Sequence, residues 1–338
     1  MLTIAYIGNG KSTNRYHLPF VIQRNKIRVK KIYQRNPQNE SWDRIPNVEY
    51  TSDLDSLLND TDIDLIVICT KLDSHYEYAK LVLEHDKHCL VEKPFTESSE
   101  QAKELFALAK EKDLIVQPYQ NRRYDSDFLT VQKVIQSGLL GPIHEVEMHY
   151  DYFRPEVPEN THTLTREESF IYGHGTHTVD QAISYFGKPK HVHYDLRQIL
   201  GKGRMNDYFD LDLYYDALKV SIKSSYFRIK ERPRFAVYGR KGCFIKQTED
   251  RQEEHLKLFY MPHHSDFGLD ELEHYGILTY LTDDGHYHEE RVPSIAGDYG
   301  RVYDDLYDII KNGKEKVIQD DEVIAQIEIL ENGFQKLL

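Results

Sequence analysis

Leu2-Thr3-Ile4-Ala5-Tyr6-Ile7-Gly8-Asn9-Gly10-Lys11-Ser12-Thr13 decides the fold. Six residues read as a buried strand, and a glycine-rich turn follows at once, leading into a helix expected to carry Tyr16, Phe20 and Ile22. Strand, turn and helix in this order are the context that gives a G-x-G-x-x-G match meaning. Gly8 permits the tight turn, and Gly10 lets the backbone approach a pyrophosphate seated on the helix N-terminus. Gly8, Gly10, Lys11, Ser12 and Thr13 are therefore candidate cofactor-binding residues, with Thr13 standing where a third glycine is usual.

The rhythm continues outward from this turn. Arg28 to Tyr33 reads as a second strand, ending in Gln34-Arg35-Asn36. An NAD site usually has Asp or Glu at this point to bind the ribose hydroxyls. Gln34 carries no charge to repel a 2′-phosphate, and Arg35 can pair with one, so NADP is favoured over NAD. Leu65 to Thr70 is a β-branched run of the kind covered on both faces. Helices are expected over Ser74 to His85 and Ser98 to Lys112, with a capping box from Ser98 and Gln101. Leu114 to Val116 is a further strand. Strands alternating with helices imply right-handed βαβ units in one doubly wound parallel sheet.

Within that sheet, Cys89-Leu90-Val91-Glu92-Lys93-Pro94-Phe95 stands apart. A lysine at the end of a buried strand costs several kcal/mol unless it is paired. Ligands of open α/β sheets bind at the carboxyl ends of the strands, so Glu92 and Lys93 read as a site, with a surface ion pair at a strand end as the alternative that the rest of the chain must settle. The Lys93-Pro94 bond is a candidate cis peptide.

After Asn121 the pattern changes. Asp125 to Ser137 reads as a helix, and then come strands of period two: Val146, Met148, Tyr150 and Tyr152, and Leu218, Val220 and Ile222. Further strands are expected near His191 to Ile199, Phe209 to Tyr215 and Arg234 to Tyr238, and helices over Arg301 to Lys311 and Glu322 to Leu337. This implies a largely antiparallel sheet with one wet or partner-covered face. The fold class is α/β: a doubly wound Rossmann domain over 1–120 and a second α/β domain over 121–338, sharing a cleft.

Bulk composition sets limits. The chain has 338 residues, 40% of them hydrophobic and 29% charged, which suits two soluble globular domains. A net charge of −13 argues against nucleic-acid binding. Cys69, Cys89 and Cys243 lack metal or disulfide spacing. No apolar run approaches the roughly 18 residues of a membrane span, and no leader precedes the first strand, so a cytoplasmic protein is expected.

Ile171 to Gln181 is a second unusual stretch, with two glycines, two histidines and Asp180. His174 and His177 share a helical face, but neither an H-E-x-x-H pattern nor a cysteine cluster completes a metal site, so no metal is expected. A histidine in a cleft is a natural general base.

Ile7-Gly8-Asn9-Gly10, Cys69-Thr70 to His75, Glu92-Lys93-Pro94 and His177-Thr178-Val179-Asp180 together resemble the Gfo/Idh/MocA oxidoreductases over nearly the whole chain. Pro118-Tyr119-Gln120-Asn121-Arg122-Arg123 and Tyr152-Phe153-Arg154-Pro155 look most like their NADP-dependent scyllo-inositol dehydrogenase branch. The resemblance implies an open second sheet that mediates homodimers or homotetramers. It also implies that Thr70, His75, Glu92, Lys93 and Asn121 serve the cofactor, and that Lys93 and His177 are catalytic. Arg123, Arg154 and His174 join them as candidate substrate contacts. The expected activity is hydride transfer between nicotinamide and a secondary alcohol or ketone of a cyclic polyol or sugar-like substrate. The family often has aspartate four residues before the histidine, and here Gly173 stands there. That departure keeps open a cofactor-binding sensor without turnover; a metal-assisted lyase or hydrolase would rest on the histidines alone.

Overall fold

The structure, a computed structural model, describes residues 1–36, 42–156 and 163–338. The chain forms two compact units. One comprises Met1–Asn121, Leu256–Ser265 and Tyr299–Ile324; the other comprises Arg122–His255, Asp266–Asp298 and Ala325–Leu338.

The first unit contains β1 (Leu2–Ile7), α1 (Leu18–Val21), β2 (Ile27–Tyr33), β3 (Glu49–Thr51), α2 (Leu54–Leu58), β4 (Leu65–Ile68), α3 (Leu72–Glu84), β5 (His88–Val91), α4 (Ser99–Glu111) and β6 (Val116–Pro118). Its sheet is all parallel, in the order β3-β2-β1-β4-β5-β6. The order reverses between β1 and β4, which is where such sheets open a crevice for a ligand. All of β1 and β4 is buried, as their β-branched composition demands. On α4 the apolar face is Ala102, Leu105, Phe106 and Ala109. Its cap differs by one residue from the box expected: Ser98 accepts from the Gln101 amide, while the Gln101 side chain accepts from Glu97 rather than Ser98. The helix after the glycine turn also differs. Thr13–His17 is a wide π-type turn, and only four residues of α1 follow. Pro19 has no N–H to give the preceding turn, so a regular ladder cannot run through it. Phe20 is buried, but Ile22 lies exposed.

The second unit is built on α5 (Ser126–Gln136), β7 (Ile143–His149), α6 (Thr176–Phe186), β8 (His191–Arg197), β9 (Tyr208–Tyr214), β10 (Lys219–Ser225), β11 (Phe235–Gly239), β12 (Gly242–Lys246), α7 (Arg251–Lys257), β13 (Gly276–Leu281) and β14 (Tyr287–Val292). Two helices close the chain: α8 (Arg301–Asn312), which belongs to the first unit, and α9 (Asp320–Gln335). The eight strands run β14-β13-β12-β11-β7-β10-β9-β8, antiparallel except for the β7–β10 pair. Helix α5 packs on β11 and β12, and α6 on β10. Val146 and Met148 turn into the core, while Glu145 and Glu147 take the other face. Tyr150 and Tyr152 lie just past β7 but still donate their amides to Lys223 and Ser225 of β10.

Candidate active site

The glycine turn is shaped by its neighbours. Gly8 has a φ of 113°, and a Cβ there would fall 2.4 Å from the carbonyl oxygen of Cys69, beyond β4. Only glycine fits. A Cβ on Gly10 would meet nothing within 4 Å, so the backbone there faces open space. Thr13 is fully buried and donates its hydroxyl back to Gly8 O at 2.7 Å, which uses the polar group that replaces the third glycine. Asn9 Nδ2 donates to Gln34 Oε1 at 2.9 Å, tying the turn to the end of β2. Gln34 is buried by this contact, while Arg35 and Lys11 are exposed.

At the end of β5 the Glu92 carboxylate is fully engaged. Oε1 accepts from the Ser12 hydroxyl and from His17 Nε2, the latter at 3.0 Å, and Oε2 accepts from the Lys93 amide at 2.8 Å. Burial alone would raise this carboxyl. The hydrogen bond and charge of His17, the charge of Lys93 and the Ser12 hydroxyl instead bring it down to about 2. The Lys93–Pro94 peptide is cis and Lys93 is half-buried. His75, buried on α3, ties two strand ends together: Nε2 lies 3.1 Å from Thr70 O, and Nδ1 lies 2.8 Å from Pro94 O. Ser74 donates to the Thr70 hydroxyl at 2.9 Å. Thus Gly8, Ser12, Thr13, Thr70, His75, Glu92 and Lys93 gather at the carboxyl edge of three adjacent strands, β1, β4 and β5. Asn121 is buried at the end of the same unit.

In the second unit, Ile171–Gly175 forms a π-type turn, and His177 sits in the first turn of α6. Gly175 packs closely, since a Cβ there would crowd the side chains of Ile171 and Leu330 at 3.2 and 3.3 Å. A Cβ at Gly173 would meet nothing. Gln326 donates to the carbonyl and hydroxyl of Thr176, fixing the helix start. Asp180 takes both arms of the buried Arg123 guanidinium, at 2.9 and 2.8 Å. His174 packs edge-on to Phe170 and Tyr152, at 4.4 and 5.1 Å between ring centroids. Arg154 is exposed and lies over the Tyr152 ring at 4.3 Å and over Tyr226 at 5.6 Å. The structure therefore groups His174, His177, Arg123 and Arg154 around one helix start and its aromatic neighbours. Among the described residues, no cluster of three or more His, Cys, Asp or Glu is arranged to hold a metal ion.

Sequence reading missed His17, Tyr303 and the tie from Ser12 to Glu92. His17 meets Glu92 across 75 positions and Tyr303 across 286, so no local pattern announces them.

The first unit's residues fit a dinucleotide. Gly10 leaves the approach to its backbone open, Ser12 and Thr13 begin a helical turn suited to a phosphate, and Gln34 and Arg35 directly follow β2. A family model described as "Oxidoreductase family, NAD-binding Rossmann fold" matches residues 2–120, and another, "Oxidoreductase family, C-terminal alpha/beta domain", matches 132–337. The chain is 48% identical over 338 residues to the Escherichia coli protein named uncharacterized oxidoreductase YhhX, covering 99% of this chain and 97% of that one. It is 30% identical to the scyllo-inositol 2-dehydrogenase (NADP(+)) IolW of Bacillus subtilis, covering 99% and 93%. A crystal structure of an oxidoreductase from Bacillus cereus superimposes with a TM-score of 0.94 at 46% identity, over 99% of this chain and 96% of that one. With a glycine turn, a Glu-Lys-Pro strand end and a histidine helix on this two-sheet fold, the chain belongs to the Gfo/Idh/MocA family of NAD-binding oxidoreductases.

Proposed function

We propose that this protein is an NADP-dependent dehydrogenase or reductase acting on a secondary alcohol or ketone of a cyclic polyol or sugar-like substrate. The observation that carries the reading is Glu92, whose one carboxylate joins Ser12 of the glycine turn to the backbone of Lys93. A dinucleotide bound at the turn then lies beside the lysine. The relation to the scyllo-inositol dehydrogenase supports the substrate class.

The cofactor supplies the hydride acceptor. Gly8, Gly10, Lys11, Ser12 and Thr13 hold its pyrophosphate, Arg35 its 2′-phosphate, and Thr70, His75, Glu92 and Asn121 its nicotinamide half. Lys93 holds the substrate hydroxyl and stabilises the negative charge that develops on its oxygen. His177 takes the hydroxyl proton. His174 and Arg154 orient the substrate, and Arg123 contributes through Asp180, which fixes the helix that bears His177. Cytoplasmic action as a homodimer or homotetramer completes the reading. Among the described residues no helix is long and apolar enough to cross a membrane, and Ile277, Leu281 and Tyr287 are exposed on one face of β13 and β14, alongside Thr279, Glu289 and Arg291.

A second reading, a cofactor-binding sensor without turnover, rests on Gly173. A panel of inositols, polyols and sugars, read by nicotinamide absorbance with NADP and NAD in both directions, tests the proposal. Turnover of one cyclic polyol or sugar with preference for NADP is expected. Tight NADPH binding with no turnover across the panel would favour the sensor.

A further inference from the structure

We infer that His17 is a positioning residue: it holds the Glu92 carboxylate in the one orientation that joins the glycine turn to Lys93, and so sets cofactor affinity. The inference rests on the NADP-dependent reading above and deepens it.

Glu92 ends a strand, and its side chain must present one oxygen to the turn and the other to the next peptide. Ser12 and the Lys93 amide are the donors there, but both lie on segments that a bound dinucleotide would press against. His17 is the donor on the inner side. A carboxylate only accepts, so the Nε2 that faces it at 3.0 Å carries a proton. The ring itself is held on every side. It lies against Tyr119 at 4.0 Å between centroids and 30° between planes, and edge-on to Tyr6 and Tyr303 at 6.0 Å. Nδ1 is 2.6 Å from the Tyr303 hydroxyl, which is 3.0 Å from the Tyr6 hydroxyl. His17, Tyr6 and Tyr303 have no exposed surface.

Burying an imidazole, two phenols and a carboxylate together is costly unless each finds a partner, and here each does. The chain is not a proton exit. It ends on Tyr6 inside β1, and burial pushes both phenols well above their ordinary range. A network that leads nowhere but locks one carboxylate is an orienting device. A histidine that merely filled the core would affect stability and leave ligand affinity alone.

Full-length wild type, His17→Gln, His17→Asn and Tyr303→Phe are titrated with NADPH and NADH by nucleotide fluorescence, and their melting is followed by circular dichroism. Gln carries its amide nitrogen at about the depth of Nε2 and keeps a donor to Glu92, whereas Asn reaches only the depth of Nδ1. His17→Asn should weaken both cofactors about tenfold, in equal measure, the order of one charge-assisted hydrogen bond. His17→Gln should stay within about threefold of wild type, and Tyr303→Phe should weaken both about threefold. Equal affinity of wild type and His17→Asn, or loss of NADPH binding alone, overturns the role. Should His17→Asn fail to fold, Tyr303→Phe decides, and unchanged binding there overturns it as well. Wild-type protein that binds neither cofactor sinks the functional reading itself, and this role with it.

Discussion

Two buried groups of carboxylates in this chain have opposite fates. Glu92 is held down to about 2 although burial works against it, because His17, Lys93 and Ser12 supply donors and positive charge. Asp250 in the second unit is pushed up to about 7, first by burial and then by Asp127 beside it, against donation from Ser126 and Gln252. Asp125 is raised by burial as well, despite Arg122. Of the buried cations in that cluster, Arg122 pairs with Asp125 at 3.4 Å and Arg234 donates to Asp127 Oδ2 at 3.2 Å. Depth does not decide the state of a carboxyl, and neither does the number of its donors; the sign of the charge beside it does. The first unit keeps a charge where the cofactor is proposed to bind, and the second dissolves charge into a hydrogen-bonded core.

The largest effects should fall on chemistry. Lys93→Ala should lower the rate of hydride transfer by roughly 10² to 10⁴ or more, and His177→Ala by roughly 10² to 10⁴. Neither should shift melting much, since Lys93 is half-buried at a strand end and the start of α6 is pinned by Gln326. Single-turnover measurement once a substrate is found checks both. A His177→Ala rate within a few-fold of wild type would make Lys93 or water the proton acceptor.

The acid cluster should show the reverse. Asp127→Ala removes the acceptor of the Phe128 and Asp250 amides and strands Arg234 in the core. Breaking a buried pair from one side costs about 3–5 kcal/mol, so the variant should lose that much stability in urea. NADPH affinity of the folded fraction should be unchanged. Weakened cofactor binding would mean that the cluster is not merely structural.

The sequence displays the first of these regions far better than the second. Gly8, Glu92 and Lys93 are local: a glycine turn after a β-branched run, and a charged pair ending another. The parallel sheet was readable for the same reason, because β1 and β4 are buried on both faces and must be apolar throughout. In the other sheet β7 and β10 were readable from alternation, and strands were expected near β8, β9 and β11 as well. Strands β12, β13 and β14 were not. β14 is exposed along nearly all its length, so no buried face imposes a period on Tyr287-His288-Glu289-Glu290-Arg291. β12 opens on Gly242, where a Cβ would strike Thr279 O at 2.2 Å, and a glycine alone does not read as a strand. Nor does the apolar face of α8 say which core it joins, although Tyr303 is placed by that choice.

At the rim of the first unit, charge is exposed and its effect should be smaller. Arg35→Ala should weaken NADPH about tenfold to a hundredfold, the worth of one charge-assisted phosphate contact, and leave NADH almost unchanged. Titration of both cofactors reads this directly. Equal losses for the two would remove the 2′-phosphate role and leave Arg35 a solvated side chain.

The smallest effect separates the two carboxylates by pH. Glu92 lies near 2 in the folded chain against an ordinary 4.5. The stability it lends is present above about 4.5 and lost as pH falls from there towards 2. Asp250 lies near 7 against an ordinary 3.8. Its folded form holds a proton that the unfolded chain releases, so its contribution is full below about 3.8 and drains away as pH rises through 7. Asp250→Asn removes that titration. The amide costs an acceptor for Ser126 or Gln252, but this loss is the same at every pH and drops out of a difference. Between pH 5 and pH 8 the melting temperature of wild type should therefore fall further than that of the variant, by about 2–4 °C for each kcal/mol released. Glu92→Gln should do the opposite, with a deficit at pH 7 that narrows as pH approaches 3. Parallel melting curves for wild type and Asp250→Asn from pH 5 to 8 would show that Asp250 is ionised in the fold. The contrast between the two regions would then rest on Asp125 alone.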